Sequence, residues 1–513
     1  MRPPPTTILA SRAAAAGAFA ATAWHVGRNL APPSWDDAWY LETSFRLWTA
    51  LKSGPLPFIH AYENAFRIKA PLIALIPLPL YAVFGTSERL AVWANLPLAV
   101  LAAWAWSRAA AEWWRGHPRA HEAAALGGAL CALTPLAYGL SRVFLVETLL
   151  SALLGLWAWR CAAARRDDRN EGWRLGALLG LGLLAKITFP LIAAGFAWPA
   201  RKRLKPHIKT ALLFASPLAA TWYAANLPYV LGFAWSASFG RIASNYAGAG
   251  GWTARLTWLV TLARDGFSWP LAVAAIAVAA AAVIFEREKF GAGLRAGLWG
   301  LAPLLVYAAS VNRETRLAAP LLPVFALLAG RAAMAFDRPA TRAAATTLLL
   351  ATGLLVCADQ TFHAGPDRAL AYNGVASADP GWDRAALVNA ASLAAGPGSV
   401  VAVALEHPWL NANNLSSLAA ARGQTLAFVN LGYAQTSTEA ALIRLKDKNA
   451  SAVILVEGLS ETALPAFLNR ANSGVAQAIR SGRLPAREAA CVTLSPSVSA
   501  RVFRLRTGPD AIW

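Results

Sequence analysis

Charge is scarce in this chain. Of 513 residues only 14% are Asp, Glu, Lys or Arg, where soluble globular domains carry roughly 25%. With 57% hydrophobic residues and a mean hydropathy of +0.42, that shortage excludes an ordinary water-soluble globule. Acid is scarcer than base, 27 residues against 47, which gives a net charge of +20. Basic stripes interleaved with aromatics on a polar domain are lacking, so the excess does not read as a nucleic-acid surface. It suits cytoplasmic loops beside anionic lipid and any group that binds a phosphate. The four cysteines, at 131, 161, 357 and 491, have no metal-ligand spacing, and only Cys357 and Cys491 fall where one oxidising compartment would hold both. An internal repeat is missing too, and the part of the chain after Cys357 has no Gly-rich phosphate loop or nucleophile elbow.

Long apolar runs are abundant. Leu90–Trp106, Ala123–Leu140, Leu145–Trp159, Trp269–Phe285, Leu294–Val311, Leu317–Phe336 and Ala343–Cys357 each span, or nearly span, a hydrocarbon core about 30 Å thick. Twenty-two Trp suit aromatic belts at both interfaces. The first apolar segment, Ile8–Trp24, has small residues near its end like a signal peptide, and is expected to remain as an uncleaved first span.

Lys and Arg mark the cytoplasmic side. The basic loops Arg108–Arg119, Arg160–Arg174, Arg201–Lys209, Arg287–Arg295 and Arg338–Arg342 therefore orient the spans. For Arg108 to lie inside, one of the two apolar segments before it must not cross. Pro71–Phe84 has 14 residues and is broken by Pro77 and Pro79, so it reaches only roughly 21 Å even as a helix. It reads as a re-entrant or interfacial segment of a long first outer loop, residues 26–88. Further along, Leu175–Ala185 and Ile187–Trp198 form a short hairpin with Lys186 at its outer tip, and Ser238–Trp252 is a Gly-rich outer loop. The expected total is 11–13 membrane segments in residues 1–357.

After Cys357 the composition turns polar and the apolar runs shorten to strand length. Val400–Leu405, Leu426–Leu431, Ala452–Glu457, Cys491–Leu494 and Val502–Leu505 read as strands, with helices at Asp383–Ala395 and Thr438–Lys446 between them. Residues 358–513 are thus expected to be a soluble extracytoplasmic α/β domain. The fold class that follows is a polytopic α-helical membrane protein with a C-terminal extracytoplasmic α/β domain.

Loop charge alone places Asp36, Asp37, Lys69, Arg142, Glu147, Lys186, Arg313 and Arg316 on one membrane face. Each has an ordinary explanation: Lys69 and Arg142 snorkel, Arg313 pairs with Glu314, Glu147 satisfies Arg142. Together, acids and cations at one face suggest a base and a phosphate clamp, because a carboxylate beside hydrocarbon is costly unless it meets water, a cation or a substrate.

The same residues resemble motifs of the GT-C superfamily of integral-membrane glycosyltransferases, in its branch of protein O-mannosyltransferases and lipid A aminoarabinose transferases. Asp36-Asp37-Ala38-Trp39-Tyr40 is similar to the acidic motif of the first outer loop. Lys69-Ala70-Pro71-Leu72 with Phe84-Gly85-Thr86-Ser87-Glu88-Arg89 resembles a Lys-Pro-Pro-Leu and Phe-Gly-x-x-Glu block. Leu184-Ala185-Lys186-Ile187 resembles a Leu-Thr-Lys-Gly stretch, and Arg316 with Pro320-Leu321-Leu322-Pro323 resembles Arg-Tyr-x-x-Pro-x-x-Pro. Glu147-Thr148 stands where related sequences carry Asp-Pro. Order and spacing agree over roughly the first 340 residues.

That resemblance implies a transferase that takes a hexosyl or pentosyl group from a polyprenyl-phosphate donor to an envelope glycolipid, glycan or protein hydroxyl. It implies a multi-pass protein of the bacterial inner membrane with its active site outside. Asp36 is implied as the acceptor base, with Asp37 as supporting acid or alternative base. Lys69, Lys186 and Arg316 are implied to neutralise the donor phosphate, with Arg142, Glu147 and Arg313 as further substrate-binding residues. No nucleotide, cofactor or obligatory metal is implied. The competing reading is a transporter or flippase of a lipid-linked or small anionic substrate, whose charges should sit near the bilayer midplane between two repeated halves.

Overall fold

The computed structural model describes residues 5–240, 243, 251–286, 297–363, 372–378, 380–431, 437–459 and 466–506. The basic loop Arg287–Arg295 and most of the outer loop Ser238–Trp252 lie outside the described residues. The apolar runs fold as helices: α1 (Thr6–Arg28), α2 (Trp35–Ser53), α3 (Asn95–Trp113), α4 (Ala120–Leu133), α5 (Pro135–Ser141), α6 (Glu147–Ala163), α7 (Glu171–Ala185), α8 (Phe189–Ala197), α9 (Ile208–Ser238), α10 (Trp252–Phe267), α11 (Trp269–Phe285), α12 (Leu322–Ala333) and α13 (Pro339–Phe362).

Proline decides where several of them stop. Thr134, the residue before Pro135, is held in extended backbone (ψ 119°), and α4 and α5 bend by 59° there. The expected short segment breaks in the same way, into Leu72–Leu75 and Leu78–Phe84 on either side of Pro77. Among the described residues, three stretches are long and apolar enough to cross a membrane by themselves: Glu88–Trp113, Thr315–Ala333 and Pro339–Phe362. Counting each bent pair, α4 with α5 and α10 with α11, as one span raises that to five. This is fewer than the 11–13 segments counted from hydropathy, because several of those runs form helices shorter than a full crossing, such as α6 with 17 residues and α7 with 15. The chain is a multi-pass membrane protein.

Contacts divide it into two compact units. The first comprises Met1–Arg28, Tyr62–Ile76 and Ala91–Ala376; the second comprises Asn29–Ala61, Pro77–Leu90 and Ser377–Trp513. The first is the helical bundle. Small residues let its helices approach closely: a Cβ on Gly330 of α12 would lie 2.7 Å from the backbone nitrogen of Gly127 in α4.

The second unit is a five-stranded sheet between helices. Strands β1 (Val400–Val403), β2 (Ala427–Asn430), β3 (Ala450–Glu457), β4 (Ala486–Ser495) and β5 (Val498–Leu505) lie in the order β2-β1-β3-β5-β4. The first three are parallel, and β5 joins β3 and β4 antiparallel. Alternation along β1 buries Val401 and Val403 on one face with α14 (Arg384–Ala395) and α15 (Ala412–Ala421), and Ala402 on the other with α16 (Thr438–Asp447) and α17 (Ala466–Arg480). Neither α15 nor α17 is among the helices expected from sequence. The start of α15 is a capping box in which Asn411 and Asn414 each accept the other's backbone N–H. Helix α2 belongs to this unit and packs along α15, burying Ala38, Leu41 and Phe45.

Candidate active site

In the helical unit, the hairpin expected around Lys186 forms. Lys186 caps α7, donating its backbone N–H to Gly182 O at 2.9 Å, and its own carbonyl accepts from Phe189 N at 2.9 Å. Gly182 is required at this turn, because a Cβ there would meet the Phe189 ring at 2.2 Å. Held at the tip, Lys186 Nζ stands 3.2 Å from Oε1 of Glu147, the first residue of α6. Glu147 is 4% exposed and also feels the charge of Arg316, while its Oε2 accepts no hydrogen bond among the described residues. Glu147 thus answers Lys186 and not, as one ordinary explanation supposed, Arg142.

Arg316 sits in a short 3-10 turn, Thr315–Leu321, with its Nε 2.8 Å from Glu314 Oε1. Tyr372 donates its hydroxyl to the same Glu314 oxygen. Glu147, Lys186, Arg316, Glu314 and Tyr372 therefore form one array. Tyr372 lies beyond the spans and follows no pattern that sequence reading would pick out.

The remaining cations divide. Ala70, next to Lys69, packs with Leu184 and with Ile187, next to Lys186, in one apolar cluster, so the two lysines flank the same core. The backbone leading to Lys69 is strained, with Phe66 at φ 57° and Arg67 at φ 60°. Two side chains of α9 hold it: Trp222 donates to Ala65 O at 3.1 Å and Asn226 to Glu63 O at 2.7 Å. Arg313 is three residues before Arg316 on the same loop. The array shown by these contacts thus holds two cations, Lys186 and Arg316, against two carboxylates, Glu147 and Glu314.

Arg142 is placed differently. It is 3% exposed, donates Nη2 to Thr361 Oγ1 of α13 at 2.7 Å and lies 4.7 Å from the Tyr138 ring centroid. A cavity of about 40 Å³, lined by Tyr138, Ser141, Glu147, Thr148 and Ser151 among others, adjoins Glu147. It has room for roughly two or three waters and none for a sugar.

In the sheet unit, Asp36 and Asp37 occupy the first turn of α2, where the helix dipole favours negative charge. Both are half-buried. The turn before them is tightly held. Ser34 Oγ donates to Pro408 O at 2.5 Å, Asn413 Nδ2 donates to Trp35 O at 2.9 Å, and Trp35 itself takes a positive φ of 47°. Beside Trp35 lies Glu406, 1% exposed, with Oε1 accepting from Ala412 N at 3.2 Å. Burial pushes the Glu406 carboxyl up to about 8, against the lowering effect of the Ala412 N–H, the Trp35 indole and Arg444.

Cys357 and Cys491 are both free thiols. Among the described residues no group of three or more His, Cys, Asp or Glu could hold a metal ion.

No family model matches this sequence, and no curated protein matches it. Solved structures do. ArnT from Cupriavidus metallidurans bound to undecaprenyl phosphate superposes with a TM-score of 0.59 at 13% identity, over 98% of this chain and 99% of that one. The apo oligosaccharyltransferase of Archaeoglobus fulgidus gives a TM-score of 0.56 at 11% identity, over 88% of this chain and 69% of that one. The arabinofuranosyltransferase AftD from Mycobacteria gives 0.56 at 15% identity, over 97% of this chain and 40% of that one. The fold is that of the GT-C membrane glycosyltransferases.

Proposed function

We propose that this chain is a GT-C-type glycosyltransferase that moves a sugar from a polyprenyl-phosphate carrier to a hydroxyl of an envelope glycolipid, glycan or protein, outside the inner membrane of a bacterium. The observation that carries this reading is the array of Glu147, Lys186, Glu314, Arg316 and Tyr372 inside a helical membrane unit. Holding ionised groups beside hydrocarbon is costly, and cations gathered there suit a phosphate ligand. The solved ArnT structure holds undecaprenyl phosphate in the same fold, which supports that choice of ligand.

The reaction so proposed is a displacement at the anomeric carbon. The bond from that carbon to the carrier's phosphate oxygen breaks, the acceptor oxygen bonds to the carbon, and the polyprenyl phosphate leaves with the electron pair. Negative charge grows on the departing phosphate, and Lys69, Lys186 and Arg316 stabilise it, the lysines as point charges and the guanidinium as a planar fork. Glu147 holds Lys186 in place, Arg313 acts as a further substrate-binding cation, and Arg142, buried against Thr361, would take part only if the site opens toward it. The acceptor's proton goes to Asp36, with Asp37 as support or as the alternative base. The donor carries its own leaving group, so this scheme uses no nucleotide and routes no step through a metal.

The test is to reconstitute the purified chain with a panel of hexosyl and pentosyl polyprenyl phosphates and follow release of carrier phosphate. Release from at least one donor, lost on Lys186→Ala, is expected. Movement of an intact lipid-linked substrate across the bilayer without release would instead favour a flippase.

A further inference from the structure

One cluster in the sheet unit is used by none of these steps. Trp382, His407 and Trp409 pack together as three rings. Trp382 stacks on His407 with centroids 5.0 Å apart and planes 25° apart. Trp409 meets both rings edge-on, at 5.6 Å and 5.4 Å. Trp382 is 9% exposed and backs the group, whereas Trp409 is 38% exposed.

We propose that Trp409, braced by His407 and Trp382, is a stacking platform for an uncharged sugar ring of the acceptor. The inference deepens the glycosyl-transfer reading and rests on it. The apolar C–H face of a pyranose or furanose carries partial positive charge and suits the negative face of an indole. A rigid aromatic surface with a few placed polar groups is the usual make-up of a small-molecule site.

Three observations favour a saccharide acceptor over another ligand. The first is rigidity. The loop Glu406–Asn411 is closed by His407 N to Leu410 O at 2.8 Å and Leu410 N to His407 O at 3.0 Å, and Asn411 Nδ2 donates to His407 O at 3.0 Å. Trp409 is therefore ordered before any ligand arrives, which lowers the cost of binding. The second is neutrality. Partial burial lowers the His407 pKa, so the imidazole is uncharged at neutral pH, and the neighbouring Glu406 is held largely protonated. Because His407 Nδ1 accepts from Trp409 N at 3.1 Å, the neutral ring carries its proton on Nε2, a donor suited to a hydroxyl. Neither Glu406 nor His407 then offers a positive charge to a phosphate or carboxylate.

The third is position. The same loop, at Pro408, receives the hydrogen bond from Ser34, two residues before Asp36. Backbone and side-chain lengths then keep the Cα atoms of Asp36 and Trp409 within roughly 20 Å. A short oligosaccharide stacked on Trp409 spans that distance toward the carboxylates.

Full-length protein in detergent micelles tests this, using linear trisaccharides of mannose, glucose, galactose and arabinose as probes, a phosphorylated hexose as the anionic control, and direct binding as the readout. At least one neutral trisaccharide should bind, Trp409→Ala should weaken it roughly tenfold or more, and Trp409→Phe should retain most of the affinity. The proposal is overturned if no neutral trisaccharide binds or if Trp409→Ala binds as the wild type does. It is equally overturned if the substitution instead reduces attachment to phosphatidylglycerol–phosphatidylethanolamine vesicles, which would make Trp409 a membrane-interface residue. Carrier-phosphate release with water as acceptor, measured alongside, separates this failure from failure of the transfer reading itself.

Discussion

Lys186 Nζ stands 3.2 Å from Glu147 Oε1, joining residues 39 positions apart at the tip of one hairpin and the start of another helix. Glu147 is almost completely buried, so the lysine is what keeps its charge tolerable.

Lys186→Ala should therefore lower stability by on the order of 3–5 kcal/mol, by stranding the carboxylate. Adding Glu147→Gln should restore most of the loss without restoring sugar transfer. Thermal unfolding and carrier-phosphate release, measured on both variants, check this. A double variant with wild-type turnover would remove the phosphate role given to Lys186.

Asp36→Asn should reduce transfer by 10²-fold or more while donor affinity is kept, since a general base acts on the proton and not on the phosphate. Asp37→Asn should cost less. Steady-state rates on the two single variants decide between the carboxylates, and a larger effect at Asp37 would move the base by one residue.

Glu406 sets a pH dependence of stability. Folded chain keeps its proton to about pH 8, whereas unfolded chain releases it near the ordinary glutamate value of about 4.3. Between those values the unfolded state binds fewer protons, so stability falls as pH rises and levels off above the window. The wild-type melting temperature should drop by roughly 5–10 °C from pH 5 to pH 9 through this group, and Glu406→Gln should flatten the change. Scanning both proteins across that range gives the answer, and equal slopes would mean that Glu406 ionises freely in the fold.

Topology can be read by cysteine labelling. In a background with the exposed Cys491 replaced by Ser, Pro55→Cys should react with an impermeant maleimide from outside the cell and Arg166→Cys only after permeabilisation. The opposite pattern would turn the whole orientation over.

The local features of this chain are written in its residues. Proline positions stop α4 and split residues 72–84, and Gly182 with Lys186 turns the α7–α8 hairpin. Short, nearly continuous apolar runs mark β1 and β3, as parallel strands covered on both faces require. These are contacts within a few residues, where backbone sterics and hydrophobic periodicity act directly. Helix α15 escaped notice because its run of Asn, Ser and Ala has little apolar contrast, and its capping box pairs Asn411 with Asn414 instead of the usual Ser or Thr with Glu.

Sequence by itself determined that the chain is a membrane protein, which cations and acids deserve suspicion, and that an α/β domain follows the spans, because the cost of charge in hydrocarbon and the period of apolar residues are local quantities. Only the tertiary structure decided that Glu147 answers Lys186, that Tyr372 reaches Glu314, and that α2 with Asp36 and Asp37 packs on α15 in the sheet unit. Those pairings join residues from 39 to almost 380 positions apart, and their partners were settled by which buried polar groups and apolar faces satisfy one another once the chain has closed, a condition that no short window of sequence contains.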